Sequence, residues 1–213
     1  MIRVAIADDH TILREGLRQL LSAAPDVEVV AEAADGHAAL ALARAGGFEV
    51  LLLDLSMPGK SGIDLIKQIR DERPRLRVLV LSMHEESQYA VRAIKAGAAG
   101  YVTKDRAATE LVDALRAVAR GGAHVSANVA QALALGAMPG ATGLPHERLS
   151  DREFEVFELL VRGLTVTDIA GKLNLSSKTI STHKARLMEK LGIDNPAELV
   201  RYALRHGLGG SPG

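Results

Sequence analysis

The sequence predicts two domains of different class: an α/β domain built on a doubly wound, five-stranded parallel sheet, followed by a smaller all-α domain. Up to about residue 120, short apolar or β-branched runs alternate with segments whose apolar residues recur at helical spacing. This alternation is typical of a parallel sheet that helices cover on both faces. From residue 150 onward the pattern is helical only. With 213 residues, the chain is long enough for two domains with separate cores.

The first domain contains five predicted strands, and helical segments alternate with them. The strands are residues 2–7, 27–33, 50–53, 78–81 and 101–103. Apolar residues at helical spacing mark the helices: Leu13, Leu17, Leu20 and Leu21; Ile63, Ile66 and Ile69; Val91 and Ile94; Leu111, Leu115 and Val118. In a flavodoxin-like strand order, the first and third of these strands are neighbours.

The second domain follows a segment rich in glycine and proline. A short predicted helix at 128–135 precedes the stretch GAMPGATGLPHER, which is typical of a flexible linker. Capping residues predict three helix starts after it: Ser150 with Glu153, Thr165 with Asp168, and Asn195 with Pro196 and Glu198. Three glycines are predicted to end helices: Gly163, Gly192 and Gly207. The predicted organisation is a first domain at 1–121, a linker with a short helix at 122–147, and a helical domain at 148–208.

Composition excludes several classes of protein. The formal net charge is zero, so any surface that attracts nucleic acid must be local. The absence of cysteine excludes disulfides and thiolate metal sites. No apolar stretch is long enough to span a bilayer, and the N-terminus lacks the pattern of a secretory signal. We therefore expect a cytoplasmic protein with no membrane partner.

Polar side chains stand at the ends of four of the five predicted strands. They are Asp8 and Asp9 after the first strand, Asp54 after the third, Ser82 after the fourth and Lys104 after the fifth. The crevice of an open α/β sheet lies beyond the carboxyl ends of its strands, so three carboxylates are expected to converge there. Such a cluster repels itself unless it holds a cation, and a few oxygen ligands suit Mg²⁺.

A carboxylate beside such a cation can attack a phosphoryl group and become an aspartyl-phosphate. Ser82 and Lys104 would then hold the phosphoryl oxygens. A single aspartate at a strand end is more commonly a turn or cap residue, but five suitable groups at four strand ends argue against coincidence. Other phosphate chemistries fit less well, because the chain lacks a Walker loop and a GxGxxG motif and has Ser56 where a haloacid-dehalogenase-type enzyme needs a second aspartate. The seven histidines show no metal-ligand spacing.

Residues 165–191 have the pattern of a helix, a tight turn and a second helix. When Ile180, Leu187 and Leu191 face inward, the outward positions are Lys178, Thr182, Ala185 and Glu189, with Ser181 and Arg186 beside them and His183 and Lys184 nearer the core. Residues 172–190 carry four lysines and one arginine against one glutamate. This pattern suits a recognition helix in the major groove, although a basic helix face is as often only a solvated surface.

The motifs ADDH, DLSMPGKSG, LSMH and GYVTKD resemble the receiver domain of two-component response regulators. The resemblance implies that Asp54 is the phosphoacceptor and that Lys104 contacts the phosphoryl group. It implies that Asp9, Asp54 and the backbone carbonyl of Ser56 bind Mg²⁺, that Asp8 acts through water, and that Ser82 and Tyr101 form a switch pair. The family often has proline after the lysine, where this chain has Asp105.

The stretch LSDREFEVFELLVRGLTVTDIAGKLNLSSKTISTHKARLMEKLGI is similar to the LuxR-type DNA-binding domain, and a receiver followed by that domain defines the NarL/FixJ response regulators. The resemblance implies that Ser181, Thr182 and Ala185 face base edges and that the helix after Gly192 contacts a second copy. Further expected DNA contacts are Lys178, Thr179, Lys184 and Arg186, with Lys178, Lys184 and Arg186 mainly at phosphates.

The predicted function is therefore that of a two-component response regulator and not of an enzyme in the ordinary sense. A sensor histidine kinase would phosphorylate Asp54, and the chain would act as a homodimer on double-stranded promoter DNA. The alternative is a DNA-binding protein whose receiver serves as a constitutive or protein-binding adaptor. The complete acidic set together with Ser82 and Lys104 argues against the adaptor, because a degenerate receiver would be expected to lose at least one of these residues.

Overall fold

The computed structural model describes residues 1–57, 62–83, 88–136 and 144–208. It divides into two compact units, Met1–Ala130 and Gln131–Gly213, and each is described by itself. Within the described ranges, every helix is too short or too polar to cross a bilayer.

The first unit contains a five-stranded, wholly parallel sheet. Its strands are β1 (Ile2–Ala7), β2 (Val27–Ala33), β3 (Val50–Asp54), β4 (Arg77–Ser82) and β5 (Gly100–Thr103). Their order is β2-β1-β3-β4-β5, so β1 and β3 are neighbours, as predicted. The last three strands are slightly longer than predicted, and Asp54 and Ser82 are the last residues of β3 and β4.

Among the residues that the structure describes, five helices flank the sheet: α1 (Thr11–Ser22), α2 (Gly36–Ala45), α3 (Gly62–Glu72), α4 (Gln88–Ala96) and α5 (Ala107–Ala119). Helices α1 and α5 share one core cluster with β1, β3, β4 and β5, in which Leu21, Leu111 and Leu115 are fully buried. Every residue of β3 is buried, which explains why this strand is a continuous apolar run up to its terminal aspartate. Because β3 is packed in the core along its whole length, the core fixes the position of Asp54 at the end of the strand.

The remaining helices are α6 (Ala127–Gly136), a short 3-10 helix (Pro145–Arg148), α7 (Asp151–Val161), α8 (Val166–Leu173), α9 (Ser177–Leu191) and α10 (Pro196–Arg205). Helix α6 matches the predicted 128–135 helix within one residue at each end. The central part of the predicted linker, residues 137–143, lies outside the described residues. The predicted all-α class of the second domain is confirmed.

The helix ends of the second unit follow their sequence signals. Ser150 and Glu153 form a capping box at α7, and Thr165 and Asp168 form another at α8. Asn195 caps α10 by accepting a hydrogen bond from the N–H of Glu198. The turn between α8 and α9 begins at Asn174, whose φ of 52° is in the left-handed region that asparagine tolerates. Thr165 and Asn174 thus set the two ends of α8.

The core of the second unit begins before residue 148, where the predicted domain starts. His146 is 1% exposed, and its Nδ1 lies 3.0 Å from the hydroxyl oxygen of Tyr202 on α10. The ring of Tyr202 also stands edge-on to Phe157 of α7. The 3-10 helix therefore contributes a buried residue to the domain, although the sequence around it is polar and rich in glycine and proline.

Candidate functional site

The predicted carboxylates converge at the carboxyl edge of the sheet. Asp8 and Asp9 follow β1, and Asp54 ends the neighbouring β3, with Ala7 opposite Leu53 in the register of the two strands. Asp8 and Asp54 are 1% and 2% exposed. A carboxylate is rarely buried to this extent without a cationic partner. We call Asp8, Asp9 and Asp54, with His10, the acidic pocket.

Lys104 supplies the cationic partner. Its Nζ donates hydrogen bonds to Asp8 Oδ2 at 2.7 Å and to Asp54 Oδ2 at 2.8 Å. Its side chain is 6% exposed. Lys104 follows β5, which β4 separates from β3, and its backbone N–H donates to the carbonyl of Ser82 at 2.8 Å. The long side chain thus extends past the end of β4 to Asp54, the last residue of β3, and to Asp8, the first residue after β1.

Burial and pairing act in opposite directions on this pocket. Burial raises the pKa of Asp54, although hydrogen bonds from Lys104 and from the N–H of Ser56, which is 2.9 Å from Asp54 Oδ1, oppose the shift. Burial alone would lower the pKa of Lys104, but its bonds to Asp54 and Asp8 outweigh that cost, and the pKa is raised. Lys104 therefore stays charged. A further cation beside Asp54 would offset the cost of burying its carboxylate.

His10 is a member of the acidic pocket that the sequence analysis missed. Its Nδ1 lies 3.3 Å from Asp8 Oδ1 and 2.9 Å from Asp9 Oδ1. One ligand atom from each of Asp8, Asp9, His10 and Asp54 lies within 4.8 Å of the others. Spacing between histidines could not reveal this residue, because its partners are aspartates. Its place directly after the aspartate pair at a strand end was the signal available.

The donor set fits a divalent cation. Asp9 Oδ1 is buried and has no hydrogen-bond partner among the described residues, since its 2.9 Å contact with His10 lacks hydrogen-bond geometry. A buried oxygen without a donor, beside two buried carboxylates, is the arrangement that a hard cation satisfies. The carbonyl of Ser56 as a further ligand stays a prediction; its N–H already binds Asp54, so the residue borders the pocket.

Ser82 and Tyr101 are both buried. Ser82, at the end of β4, is 0% exposed, and Tyr101 of β5 is 4% exposed. The N–H of Tyr101 donates to the carbonyl of His124 at 2.9 Å. The two residues thus lie on neighbouring strands at the side of the sheet that leads to Lys104. Their role as a switch pair stays a prediction.

Arg14 of α1 is a second residue that the sequence analysis missed. Its Nη1 donates a hydrogen bond of 2.6 Å to the backbone carbonyl of Asp8, and its Nε lies 3.4 Å from Glu32 Oε2 at the far end of β2. Its side chain is 14% exposed. The contact ties the segment after β1 to α1 and so fixes the backbone that carries Asp8.

In the second unit, α9 has the orientation that its sequence predicted. Ile180 and Leu187 are fully buried. The exposed residues include all the predicted outward positions and two beside them: Lys178, Ser181, Thr182, Ala185, Arg186 and Glu189. Thr179, His183 and Lys184 are half-buried. The face is basic and carries small side chains at its centre, which lets a helix approach base edges closely.

Two hydroxyls of α9 already have partners within the helix. The Thr179 Oγ1 lies 2.8 Å from the hydroxyl of Ser176, which caps the helix by accepting from the N–H of Thr179. The Thr182 hydroxyl donates to the carbonyl of Lys178 at 3.0 Å. Thr182 therefore offers oxygen lone pairs and a methyl group outward, whereas Thr179 mainly stabilises the start of the helix.

Helix α10 differs from its prediction. The helix after Gly192 is the one expected to contact a second copy, and its sequence predicts an apolar stripe of Leu199, Val200, Ala203 and Leu204. Leu199 and Ala203 are 2% and 0% exposed and belong to the core of the domain. Val200 and Leu204 are 37% and 64% exposed. Only these two of the four can contact a partner, because the domain core covers one side of the predicted stripe and leaves the other side exposed.

The chain matches the models of two protein families. Residues 4–116 match the response regulator receiver domain. Residues 147–203 match the bacterial regulatory proteins of the luxR family. The two matches fall on the acidic pocket and on the helices around α9, respectively.

Relatives match over nearly the full length of the chain. The response regulator UvrY of Escherichia coli K12 is 35% identical over 209 residues, which covers 98% of this chain and 96% of UvrY. The transcriptional regulatory protein UhpA of the same strain is 40% identical over 202 residues, covering 94% of this chain and 97% of UhpA.

The response regulator RcsB of Salmonella typhimurium has a solved structure with a TM-score of 0.74 and 36% identity, covering 96% of this chain and 97% of RcsB. A solved complex of RcsB with DNA gives a TM-score of 0.59 at 36% identity, covering 95% of this chain and 98% of RcsB. The chain belongs to the two-component response regulators of the NarL/FixJ type, in which a receiver domain precedes a LuxR-family DNA-binding domain.

Proposed function

We propose that this response regulator accepts a phosphoryl group on Asp54 and that the modification controls DNA binding through α9. The proposal rests on the cluster that Asp8, Asp9 and Asp54 form beside Lys104. The Nζ of Lys104 lies 2.7 Å from Asp8 Oδ2 and 2.8 Å from Asp54 Oδ2. A purely structural role would not require three carboxylates at one edge of a sheet, because each of them repels the others.

In the proposed transfer, an oxygen of Asp54 attacks the phosphorus of a donor. An O–P bond to Asp54 forms, and the bond between phosphorus and the donor's leaving group breaks. Asp54 must be ionised to attack, and the ammonium of Lys104 favours that form. Once the phosphoryl group is attached, Lys104 exchanges its bond to Asp54 for one to a phosphoryl oxygen, and the hydroxyl of Ser82 donates to another.

Asp9, Asp54 and the carbonyl of Ser56 would hold Mg²⁺, with Asp8 acting through water. The bound ion would neutralise charge on the phosphoryl oxygens and on the carboxylates together. The unmatched Oδ1 of Asp9 supports this assignment, since a cation would satisfy it.

The phosphodonor in the cell would be a sensor histidine kinase, which must bring a phosphohistidine against the acidic pocket. Two large apolar side chains border that approach. Ile12 follows His10 by two residues and is 88% exposed, and Met83 directly follows Ser82 and is 71% exposed. Exposed apolar residues beside a reactive group are typical of a docking surface, so we assign both to contact with the kinase.

The DNA-binding domain would place α9 in the major groove. RcsB has been solved as a complex with DNA and as two dimers bound to two parallel DNAs. We propose that this chain likewise binds promoter DNA as a homodimer, with Val200 and Leu204 of α10 at the contact between copies. A protein that takes its phosphoryl group from such a kinase and binds chromosomal DNA would work in the cytoplasm.

Incubation with Mg²⁺ and acetyl phosphate tests the assignment of Asp54. Intact-mass measurement should show one added phosphoryl group on the full-length protein and none on the Asp54→Asn variant. Asp64, an exposed aspartate in the first turn of α3, offers the matched control, and Asp64→Asn should be labelled like the wild type. Undiminished labelling of Asp54→Asn would exclude this phosphoacceptor, whereas no labelling of the wild type would favour the adaptor function instead.

A further inference from the structure

His10 is an imidazole at the edge of a pocket whose other donors are carboxylate oxygens. Its side chain is 67% exposed, yet its Nδ1 points at the two aspartates that follow β1: it is 3.3 Å from Asp8 Oδ1 and 2.9 Å from Asp9 Oδ1. The backbone N–H of His10 also donates to Asp8 Oδ1 at 2.8 Å. The backbone and the ring thus approach the pocket together.

These separations match those between ligands of one metal ion. Metal–nitrogen and metal–oxygen bonds of about 2.1 Å place two ligands at right angles about 3.0 Å apart and two opposite ligands about 4.2 Å apart. The Nδ1 atom lies 2.9 Å and 3.3 Å from its carboxylate oxygens, and all four donor atoms of the pocket lie within 4.8 Å of one another. A contraction of about half an ångström would bring the set to one ion.

The oxygen beside the imidazole is the one that has no donor. Asp9 Oδ1 is buried without a hydrogen-bond partner among the described residues, although His10 Nδ1 is 2.9 Å away. The contact between these two atoms therefore lacks hydrogen-bond geometry, whereas the same Nδ1 has a hydrogen-bond partner in Asp8 Oδ1 at 3.3 Å. For His10 and Asp9, a close approach without a hydrogen bond suits two ligands of one cation better than a donor and its acceptor.

We infer that His10 is a nitrogen ligand of the divalent cation in the acidic pocket and that it shifts the pocket's preference from Mg²⁺ toward divalent transition metals. The inference rests on the proposed metal site but goes beyond its oxygen ligands. Mg²⁺ strongly prefers oxygen, whereas imidazole favours the later first-row ions and is accepted by Mn²⁺. A pocket with one imidazole should therefore bind Mn²⁺ more tightly, relative to Mg²⁺, than a pocket of oxygens alone.

The competing interpretation is that His10 only orients Asp8 and Asp9. In that case its removal would weaken Mg²⁺ and Mn²⁺ binding equally, because both ions use the same oxygens. Direct coordination predicts unequal losses of affinity and a nitrogen nucleus bound to the metal. A measurement that separates the two ions and detects nitrogen therefore distinguishes the interpretations.

The experiment uses full-length protein loaded with Mn²⁺ and compares wild type, His10→Ala and His37→Ala. His37 is an exposed histidine in the first turn of α2, outside the acidic pocket, and serves as the matched control. Pulsed EPR should detect a directly bound imidazole nitrogen in wild type and in His37→Ala, and none in His10→Ala. The Kd for Mn²⁺ should rise about tenfold or more in His10→Ala, the loss typical when a group that supports a metal site is removed, while the Kd for Mg²⁺, measured by competition, should change by less than about twofold.

Bound Mn²⁺ without a nitrogen signal in wild type would overturn the inference, and so would equal losses of affinity for both ions in His10→Ala. Labelling of the same preparations with acetyl phosphate and Mg²⁺ separates this inference from the proposed function. If Asp54 is labelled but no nitrogen is detected, only the role of His10 fails. If labelling persists in Asp54→Asn while the nitrogen signal is present, the phosphoacceptor assignment fails and the ligand stands.

Discussion

Lys104 holds two buried carboxylates that would otherwise repel each other. Its Nζ is within 2.8 Å of both Asp8 and Asp54, and both aspartates are at most 2% exposed. Removing this ammonium would destabilise the fold, because two buried carboxylates would then repel each other without a cationic partner. At the scale of single residues, the site is therefore both a functional and a stability determinant.

Replacing Lys104 by methionine should destabilise the metal-free protein by about 3 kcal/mol at neutral pH, because a buried ion pair loses one partner. The raised pKa of Asp54 means that the folded state takes up a proton more readily than the unfolded chain. The deficit should accordingly shrink as the pH falls through that pKa. Urea unfolding at several pH values measures both effects, with Lys95→Met, at an exposed position of α4, as control.

Added Mg²⁺ should stabilise Lys104→Met more than it stabilises the wild type, because the ion would replace the missing positive charge. A variant that unfolds at the same urea concentration as wild type, with or without Mg²⁺, would show that the lysine does not hold the pocket together.

At the scale of single elements, helices α9 and α10 each have one face buried in the domain core and another face exposed for contact with a partner. Helix α9 buries Ile180 and Leu187 and exposes a basic face with Thr182 and Ala185 at its centre. The same division on α10 leaves Val200 and Leu204 outside. Because a helix face spans only part of each turn, substitutions on its two sides should have separable effects.

Replacing Lys178 or Arg186 by alanine should weaken binding to all DNA sequences and flatten its salt dependence, because these residues are expected at phosphates. Thr182→Ala or Ala185→Ser should instead change base preference, by about 1–3 kcal/mol for each base-specific interaction that is removed. Selection of binding sites from random DNA, with fluorescence anisotropy at several salt concentrations, measures both. Identical base preferences for Thr182→Ala and wild type would contradict this placement of α9.

A second interaction joins two elements of the receiver. Arg116 of α5 donates to both carboxylate oxygens of Asp26, in the turn before β2, at 2.9 Å and 2.7 Å. The hydrogen bonds from Arg116 lower the pKa of Asp26 to about 2. A depressed pKa of this kind stabilises the fold above the group's usual value of 3.8, and the contribution disappears as the pH falls toward 2.

Arg116→Gln should return the pKa of Asp26 to about 3.8. The wild type should then lose stability between about pH 4 and pH 2 in a way that the variant does not. An NMR titration of the Asp26 carboxyl measures the shift directly. Arg120→Gln, at the exposed end of the same helix, should leave the titration of Asp26 unchanged.

At the scale of the whole molecule, two domains with separate cores share one chain. The second domain has its own buried aromatic and aliphatic residues, among them Phe154, Phe157 and Ile169, and His146 belongs to it. A DNA-binding fragment should therefore begin at Leu144 so that His146 and the 3-10 helix are retained. Such a fragment should fold independently, because it retains the buried residues of a compact unit.

We predict that the fragment from Leu144 onward binds operator DNA without a phosphodonor, and at least as tightly as unphosphorylated full-length protein. The reason is that we expect the unphosphorylated receiver to inhibit the DNA-binding domain and phosphorylation to release it, and the fragment lacks the receiver. Anisotropy titrations of the fragment, the full-length protein with and without acetyl phosphate, and Asp54→Asn make the comparison. Weaker binding by the fragment would contradict inhibition, and phosphorylation would then act chiefly by pairing receivers.

Local patterns in the sequence determined most of the architecture. Alternating strand and helix patterns predicted the five-stranded parallel sheet, and capping residues such as Ser150 and Thr165 predicted the helix starts. The acidic edge followed from strand ends alone, since parallel strands bring their carboxyl ends together. Periodicity likewise predicted the outward face of α9, because the inward positions were set by three apolar residues of one helix.

Only the tertiary structure decided how these groups meet. It turned the ring of His10 toward Asp8 and Asp9, joined Lys104 to aspartates on two other strands, and buried Leu199 and Ala203 of α10. Periodicity tells which residues share a face, but not which neighbouring element covers that face. Burial and side-chain contacts depend on elements that are distant in the chain, and for that reason His146 was assigned to a linker although it packs on Tyr202, 56 residues away.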